Sequence, residues 1–268
     1  MNNADDIDRW TEAMLRGDFA AAWSTSDALL HRSRTQDRRS TPRHLQNIWD
    51  GTPVAGKRVL VRCYHGLGDT IQFIRYAPLL KRVPAEVIVW VQPSLIPLLS
   101  SVEGIDRLMP LHDGEPDIDF DVDVEVTELP YLFRTTLENI PQVPYLQVDP
   151  APLARVDDKI RAGLIWQSGD WKPARSIPFP ALQPLAEVSG IQWHLLQRNP
   201  HEAGWDGQFG MISGGDNPLH DAHMMRALDL VISVDTMTAH LAGALGTNTW
   251  TLLPHNPDWR WMTDREDS

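Results

Sequence analysis

The first apolar positions fall at helical spacing. Trp10, Met14 and Leu15 share one stripe, Arg16-Gly17-Asp18 interrupts it, and Phe19, Ala22, Trp23, Ala28 and Leu29 resume it. One face of a helix recurs in this way, so residues 5–35 predict a helical hairpin. The stretch 32–56 (HRSRTQDRRSTPRHLQNIWDGTPVAG) is basic and polar, closes on Pro and Gly, and predicts a connector. The pattern then changes. Arg58 to Tyr64, Glu86 to Gln92, Ile105 to Leu111 and Asp119 to Val126 are short runs rich in β-branched residues, predicting strands. An amphipathic segment from Thr70 to Arg82 and a short one from Pro93 to Leu99 predict the intervening helices. A Pro-rich stretch, 141–152, breaks the series, and a domain boundary is placed there.

The alternation restarts beyond it. Strands are expected at Ala162 to Trp166, Ile191 to Leu196, Leu230 to Val234 and Asn248 to Leu253, with helices at Phe179 to Val188, Pro218 to Leu228 and Thr236 to Leu245. Such alternation implies mostly parallel sheets with helices on both faces. The expected division is a repeat-like helical hairpin and connector over 1–45, a first α/β domain over 46–150 and a second over 151–268, with a cleft between the last two.

Composition narrows the class. The 268 residues carry a net charge of -12, which opposes a general nucleic-acid binder, whose phosphate contacts need a basic face. The single cysteine, Cys63, excludes an internal disulfide and fits a reducing compartment. The opening MNNADDIDRW has no basic n-region or apolar h-region, and no apolar run reaches membrane-spanning length, so a cytoplasmic protein is expected. Neither C-x-x-C nor H-E-x-x-H occurs, and no metal site is expected.

Three loops at strand ends hold the candidate chemistry. In HGLGDT, His65 to Thr70, a strand enters and a helix leaves. Gly66 and Gly68 allow close backbone approach, and a helix N-terminus welcomes an anion. Ile71 occupies the third-glycine position of a dinucleotide fingerprint, so that reading fails. Asp69 is open to two readings, helix cap or base. The second loop, QSGDWKPARS, puts Lys172, Arg175 and Ser176 beyond a strand, where they either hold a pyrophosphate or face solvent. The third, SVDTMTAHLAG, puts Asp235, Thr236 and His240 where a buried strand meets a helix. Capping explains one of these polar groups but not all of them.

Two further patterns invite chemistry. In DIDFDVDVE, acids at 117, 119, 121, 123 and 125 alternate with apolar residues. A carboxylate row could bind a cation, but such alternation usually marks a solvated face or a guarded sheet edge, and that reading is preferred. Trp166, Trp171, Trp250, Trp259 and Trp261 crowd the second half, for stacking on a sugar or base or for core packing, the latter especially for Trp166 and Trp250.

Taken together, WDGTPVAGKRVLVRCYHGLGDTIQFIRYAPLL, AGLIWQSGDWKPARSIP, ALDLVISVDTMTAHLAGALG and PDWRWMTDREDS resemble the glycosyltransferase family 9 (heptosyltransferase-type) domain often fused behind tetratricopeptide repeats. LRGDFAAAWSTSDALL resembles the last such repeat. The resemblance implies a GT-B fold of two Rossmann-like domains, the second holding a nucleotide sugar and the first facing the acceptor. It implies a metal-independent, inverting transfer to a glycan or protein hydroxyl, with no cofactor. By position, Asp69 matches the proposed general base; Lys172 and Arg175 fall near the phosphate-contacting loop; Asp235, Thr236 and His240 match the donor-binding D-T-x-x-x-H. The family's stretch after DREDS, a Pro-Trp-Tyr segment and a last helix packing back on the first domain, has no counterpart here, so a shortened second domain is expected. GTNTW also replaces the usual glycine-x-proline start of the following strand. A non-catalytic nucleotide-sugar binder or scaffold, and a non-hydrolysing sugar-nucleotide epimerase, remain as alternatives. The oligomeric state, the sugar and the nucleotide are not legible.

Overall fold

The computed structural model describes residues 3–33, 42–83, 86–142, 144–156, 158–169 and 172–262. Residues 34–41 of the basic connector, Trp171 and the final residues of the last motif lie outside these. The chain forms two compact units. Unit 1 comprises Met1–Gln92, Glu103–Gln142 and Asn256–Ser268, and unit 2 comprises Pro93–Val102 and Val143–His255. The division differs from the expected one: the hairpin belongs to unit 1, the change of unit falls after Gln142 instead of after residue 150, a short excursion at Pro93–Val102 belongs to unit 2, and the chain returns to unit 1 at Asn256.

Unit 1 begins with the hairpin, α1 (Asn3–Leu15) and α2 (Phe19–Ser33). Gly17 turns the chain at φ +70, and the Asp18 carboxylate accepts the Ala21 N–H at 3.1 Å. The inner stripe is not a separate core. Ala13, Met14, Phe19, Ala22 and Trp23 pack with Tyr131, and Trp10, Trp49 and Trp259 lie against them. The Trp23 indole donates to the Thr135 carbonyl at 2.7 Å. The hairpin is therefore fastened to the α/β part of its own unit by apolar burial and by a buried hydrogen bond.

Then come β1 (Arg58–Arg62), α3 (Leu67–Phe73), α4 (Ala77–Arg82), β2 (Glu86–Val91), α5 (Ile96–Leu99, in unit 2), β3 (Arg107–Pro110), β4 (Val122–Glu125) and α6 (Leu129–Leu132). The sheet is parallel, in the order β3-β2-β1-β4. Val59, Leu60 and Val61 of β1 and Val87 to Val91 of β2 are fully buried, as central strands covered on both faces must be. The single helix expected over Thr70 to Arg82 is two, joined by a 3-10 turn at Ile74–Tyr76. Pro78 lacks an N–H, and its ring opposes the carbonyl four residues earlier, so an unbroken α-helix is excluded there.

The acidic run is corrected in the same unit. Only Val122–Glu125 is strand, and it is the sheet edge, as one half of the preferred reading has it; Asp117 and Asp119 are exposed, but the acids of the strand itself, Asp123 and Glu125, do not face solvent. Asp121 and Asp119 pair with Arg58 at 2.9 and 3.7 Å, Asp123 pairs with buried Arg62 at 2.8 Å, and Glu125 is fully buried. The period-two pattern was matched by arginines at the two ends of β1, the neighbouring strand.

Unit 2 holds β5 (Ile160–Ile165), β6 (Ile191–Leu195), β7 (Met211–Ile212), α7 (Pro218–Arg226), β8 (Leu230–Val234), α8 (Met237–Ala244) and β9 (Thr249–Leu252). All pairings are parallel, in the order β7-β6-β5-β8-β9. Ala162, Leu164, Trp166, Phe179, Leu182, Trp193, Leu195 and Ile232 form its core, and each fully buried large aliphatic side chain contributes about 1.5–3 kcal/mol. The helix expected over Phe179 to Val188 is instead a 3-10 segment, Phe179–Glu187; Pro184, inside it, withholds an N–H that α-helical bonding needs. Trp166 is core, as expected, and its indole donates to the Ala203 carbonyl at 2.8 Å. Trp250 is not core: it lies on the edge strand β9 and is 63% exposed.

Candidate functional site

Each sheet has one place where its connections diverge. In unit 2 the chain leaves β5 for β6 on one side, and later comes back to β8 on the other. The carboxyl ends of β5 and β8 therefore flank a topological switch point, where open α/β sheets bind ligands. The two loops singled out in this half leave from those ends.

The loop after β5 is shaped by its own hydrogen bonds. The Gln197 side-chain oxygen accepts the N–H groups of Trp166 and Gln167 at 3.1 and 2.9 Å. Ser176 accepts the Ser168 N–H at 3.0 Å, Ser168 donates to the Lys172 carbonyl at 3.1 Å, and Ile177 N–H closes back on the Trp166 carbonyl at 2.8 Å. Ser176 thus staples the loop, a local task the sequence did not reveal. Pro173–Arg175 forms one 3-10 turn, and Lys172, which precedes it, is exposed.

This turn aims Arg175 at the end of β8. Its Nη1 lies 3.6 Å from Oδ2 of Asp235, which is 4% exposed. The guanidinium Nε is buried and has no hydrogen-bond partner among the described residues. Buried donors are rarely left in that condition, and an anion is a fitting partner for a fork of N–H groups. Thr236 is the N-cap of α8 in extended geometry, but its side chain makes no capping bond. The expectation that capping accounts for one of the polar groups here therefore fails: Asp235 faces an arginine, and the Thr236 hydroxyl does not close the helix. His240 is half-buried on α8. The structure brings Arg175 and Asp235 together and sets Thr236 next in the chain to Asp235.

Unit 1 has its own switch point at β1 and β4. Beyond β1 lies His65-Gly66, and Gly66 is the N-cap of α3. Asp69 accepts the Gly66 N–H on Oδ2 at 3.0 Å, so the cap reading is correct as geometry. A Cβ on Gly66 would stand 3.1 Å from that oxygen, so the Asp69 carboxylate would have to shift by a few tenths of an ångström to admit one. Gly68 lies in the first turn of α3. The other oxygen, Oδ1, is ion-paired with Nη2 of Arg260. The His65 carbonyl accepts the Gln92 amide at 2.7 Å, and Gln92 in turn accepts Thr70 at 3.0 Å, tying the loop to the end of β2.

Beneath this loop sits Glu125. Its Oε1 accepts the Tyr64 N–H at 3.0 Å and stands 3.9 Å from His65 Nε2. Burial, reinforced by the charge of Glu128, pushes its carboxyl well above the ordinary range. Glu128 is satisfied by the N–H groups of Ile48, Trp49 and Glu125 at 2.9, 3.0 and 2.9 Å. Burial also pulls the His65 imidazole below its usual value, which favours its neutral form. Sequence reasoning missed Arg260, Glu125 and Glu128. Glu125 was grouped with the acidic row, although its place at the carboxyl end of a strand could have marked it. Among the described residues, no cluster of three or more His, Cys, Asp or Glu could hold a metal ion.

The solved structures that share this fold include glycosyltransferases. The chain matches a glycosyl transferase family 9 protein from Veillonella parvula at TM-score 0.55 and 14% identity, covering 77% of this chain and 83% of that one. It matches the ADP-heptose LPS heptosyltransferase II of E. coli at TM-score 0.56 and 17% identity, covering 75% and 86%. It matches the iron-containing dodecameric glycosyltransferase TibC of enterotoxigenic E. coli at TM-score 0.56 and 11% identity, covering 75% and 59%. No protein-family model matches the sequence, and no curated protein matches it. The fold class is α/β and GT-B-like, with two Rossmann-like parallel-sheet units. No helix among the described residues is long and apolar enough to cross a membrane.

Proposed function

We propose that the chain transfers a sugar from a nucleoside-diphosphate donor to a hydroxyl of a glycan or protein, with inversion at the anomeric carbon and without a metal. Unit 2 takes the donor and unit 1 takes the acceptor. The observation that carries this reading is Arg175, whose buried Nε has no hydrogen-bond partner among the described residues and whose Nη1 faces Asp235 at the switch point of the second sheet. A diphosphate there would be met by the guanidinium, the N-terminal end of α8 and the Thr236 hydroxyl, with Lys172 on the same loop and His240 one turn into the helix.

In the reaction, the acceptor oxygen attacks the anomeric carbon from the face opposite the diphosphate. The bond from that carbon to the leaving oxygen breaks, and its electron pair stays on the β-phosphate. Asp69 receives the acceptor proton. Charge grows on the leaving group in the transition state, where fixed donors stabilise it most. The heptosyltransferase neighbours support nucleotide-sugar chemistry in general. The helical hairpin is read as a terminal repeat of the tetratricopeptide type and the location as cytoplasmic.

The test is a thermal-shift screen over ADP-, UDP-, GDP- and CMP-sugars, followed by product analysis with the responding donor. A true donor stabilises the fold by RT ln(1 + [L]/Kd), about 2.7 kcal/mol at 100-fold saturation. Asp69→Ala should abolish transfer and leave the nucleotide shift intact, and chelation should leave the rate unchanged. A screen in which no nucleotide sugar raises the melting temperature contradicts the reading.

A further inference from the structure

The motif PDWRWM, absorbed by neither loop, lies in the segment that returns to unit 1. We propose that Arg260 is the positioning residue for Asp69: with the Gly66 N–H it holds the two carboxylate oxygens in one orientation for the acceptor hydroxyl. This rests on the transferase reading above.

Two anchors on two different oxygens fix both side-chain torsions of an aspartate, where one anchor would leave the carboxylate free to swing. Asp69 has that arrangement, with Oδ2 on Gly66 and Oδ1 on Arg260. A carboxylate offers about four lone-pair sites, so two anchors leave acceptor capacity for a substrate proton. Arg260 is itself immobilised. Its Nη1 donates to Asp258 at 2.6 Å, and the same Asp258 oxygen accepts the Arg260 backbone N–H at 3.2 Å. The guanidinium lies over the rings of Trp259 and Phe73, with its carbon 4.7 and 5.4 Å from their centroids. Trp259 in turn stacks on Phe73 at 6.0 Å and meets Trp10 edge-on at 5.1 Å. Both charged side chains are mostly buried, at 15% and 24% exposure, so solvent screens the pair less than it would a surface bridge.

A chain of contacts therefore runs from the hairpin, through Trp259 and Arg260, to the carboxylate at the start of α3. Its purpose in the reaction is geometric. A misplacement of about 1 Å in a catalytic group can cost about 100-fold in rate. The sequence gap between Asp69 and Arg260 hides the pair, but the tertiary return at Asn256 creates it.

The experiment is a kinetic cycle on the full chain with the donor found in the screen. Arg260→Met keeps the stem that packs on Trp259 and removes the fork; it should lower kcat by about 10- to 100-fold, leaving the donor KM and the nucleotide thermal shift unchanged. Arg260→Lys restores a cation and should recover at least part of the loss. In Asp69→Asn, which gives no transfer or only a residual rate, adding Arg260→Met should cost nothing further, because the arginine acts through that carboxylate. If Arg260→Met does not fold, Arg260→Gln replaces it, retaining a donor for Asp258. A kcat within twofold of wild type for the folded variant overturns the proposal, as does an equal slowing of the Asp69→Asn enzyme. Failure of the wild-type chain to transfer any sugar overturns the transferase reading itself, and the role of Arg260 with it.

Discussion

Asp221 offers a test of the second unit that needs no substrate. It lies in the first turn of α7, is 2% exposed, and accepts the Gly215 N–H at 2.7 Å. Burial raises its carboxyl to about 6, against 3.8 for the free side chain. Because the folded value is the higher one, the native state holds a proton that the unfolded chain releases. The stability associated with this proton is fully present below about pH 4 and is lost as pH rises through about 6. A shift of about 2 units is about 3 kcal/mol at its limit, and about 2 kcal/mol of it falls between pH 4.5 and pH 7.5. Asp221→Asn has the same shape, keeps an oxygen for the Gly215 N–H and cannot ionise. Thermal or urea unfolding of both proteins at the two pH values measures the difference directly. The variant should gain about 2 kcal/mol on wild type between them, or about 4–8 °C in Tm for a chain of this size. A stability difference equal at both pH values would refute the claim that Asp221 is held protonated by burial.

Two other changes probe the fold and the site. Trp23→Phe removes the indole that donates to Thr135 and should destabilise the protein by about 1–3 kcal/mol in urea unfolding, since the buried carbonyl loses its partner; an unchanged midpoint would mean that the hairpin is not part of the core of unit 1. Arg175→Ala should erase the nucleotide thermal shift, read against the variant's own ligand-free melting temperature, which should fall because buried Asp235 loses the arginine it faces at 3.6 Å; a persistent shift would take the donor site elsewhere.

Much of the architecture was legible because periodicity reports burial. The apolar runs of β1, β2, β5 and β8 are strands with buried interiors, and the helical stripe of residues 10–29 is a hairpin. What periodicity could not report was bonding from outside the run. Pro78 and Pro184 change the helices without disturbing the apolar spacing. Alternating acids look the same whether water or an arginine faces them, and here Arg58 and Arg62 do. In each unit the candidate positions were legible from the strand ends: Asp69 follows β1 in unit 1, and Arg175 and Asp235 follow β5 and β8 in unit 2. The contacts around those positions were not legible: Ser176 is spent on its loop, and Arg260 reaches Asp69 from 191 residues away in sequence.

The central claim is nucleotide-sugar transfer, and its most direct test is the reaction with the donor that stabilises the chain. The anomeric configuration of the product is read by proton NMR, with wild type and Asp69→Ala compared side by side. The account predicts a glycoside of inverted configuration from wild type, formed equally well in chelator, and none from the variant although it still binds the nucleotide. A retained configuration, or free epimerised sugar nucleotide formed without any acceptor, would contradict it.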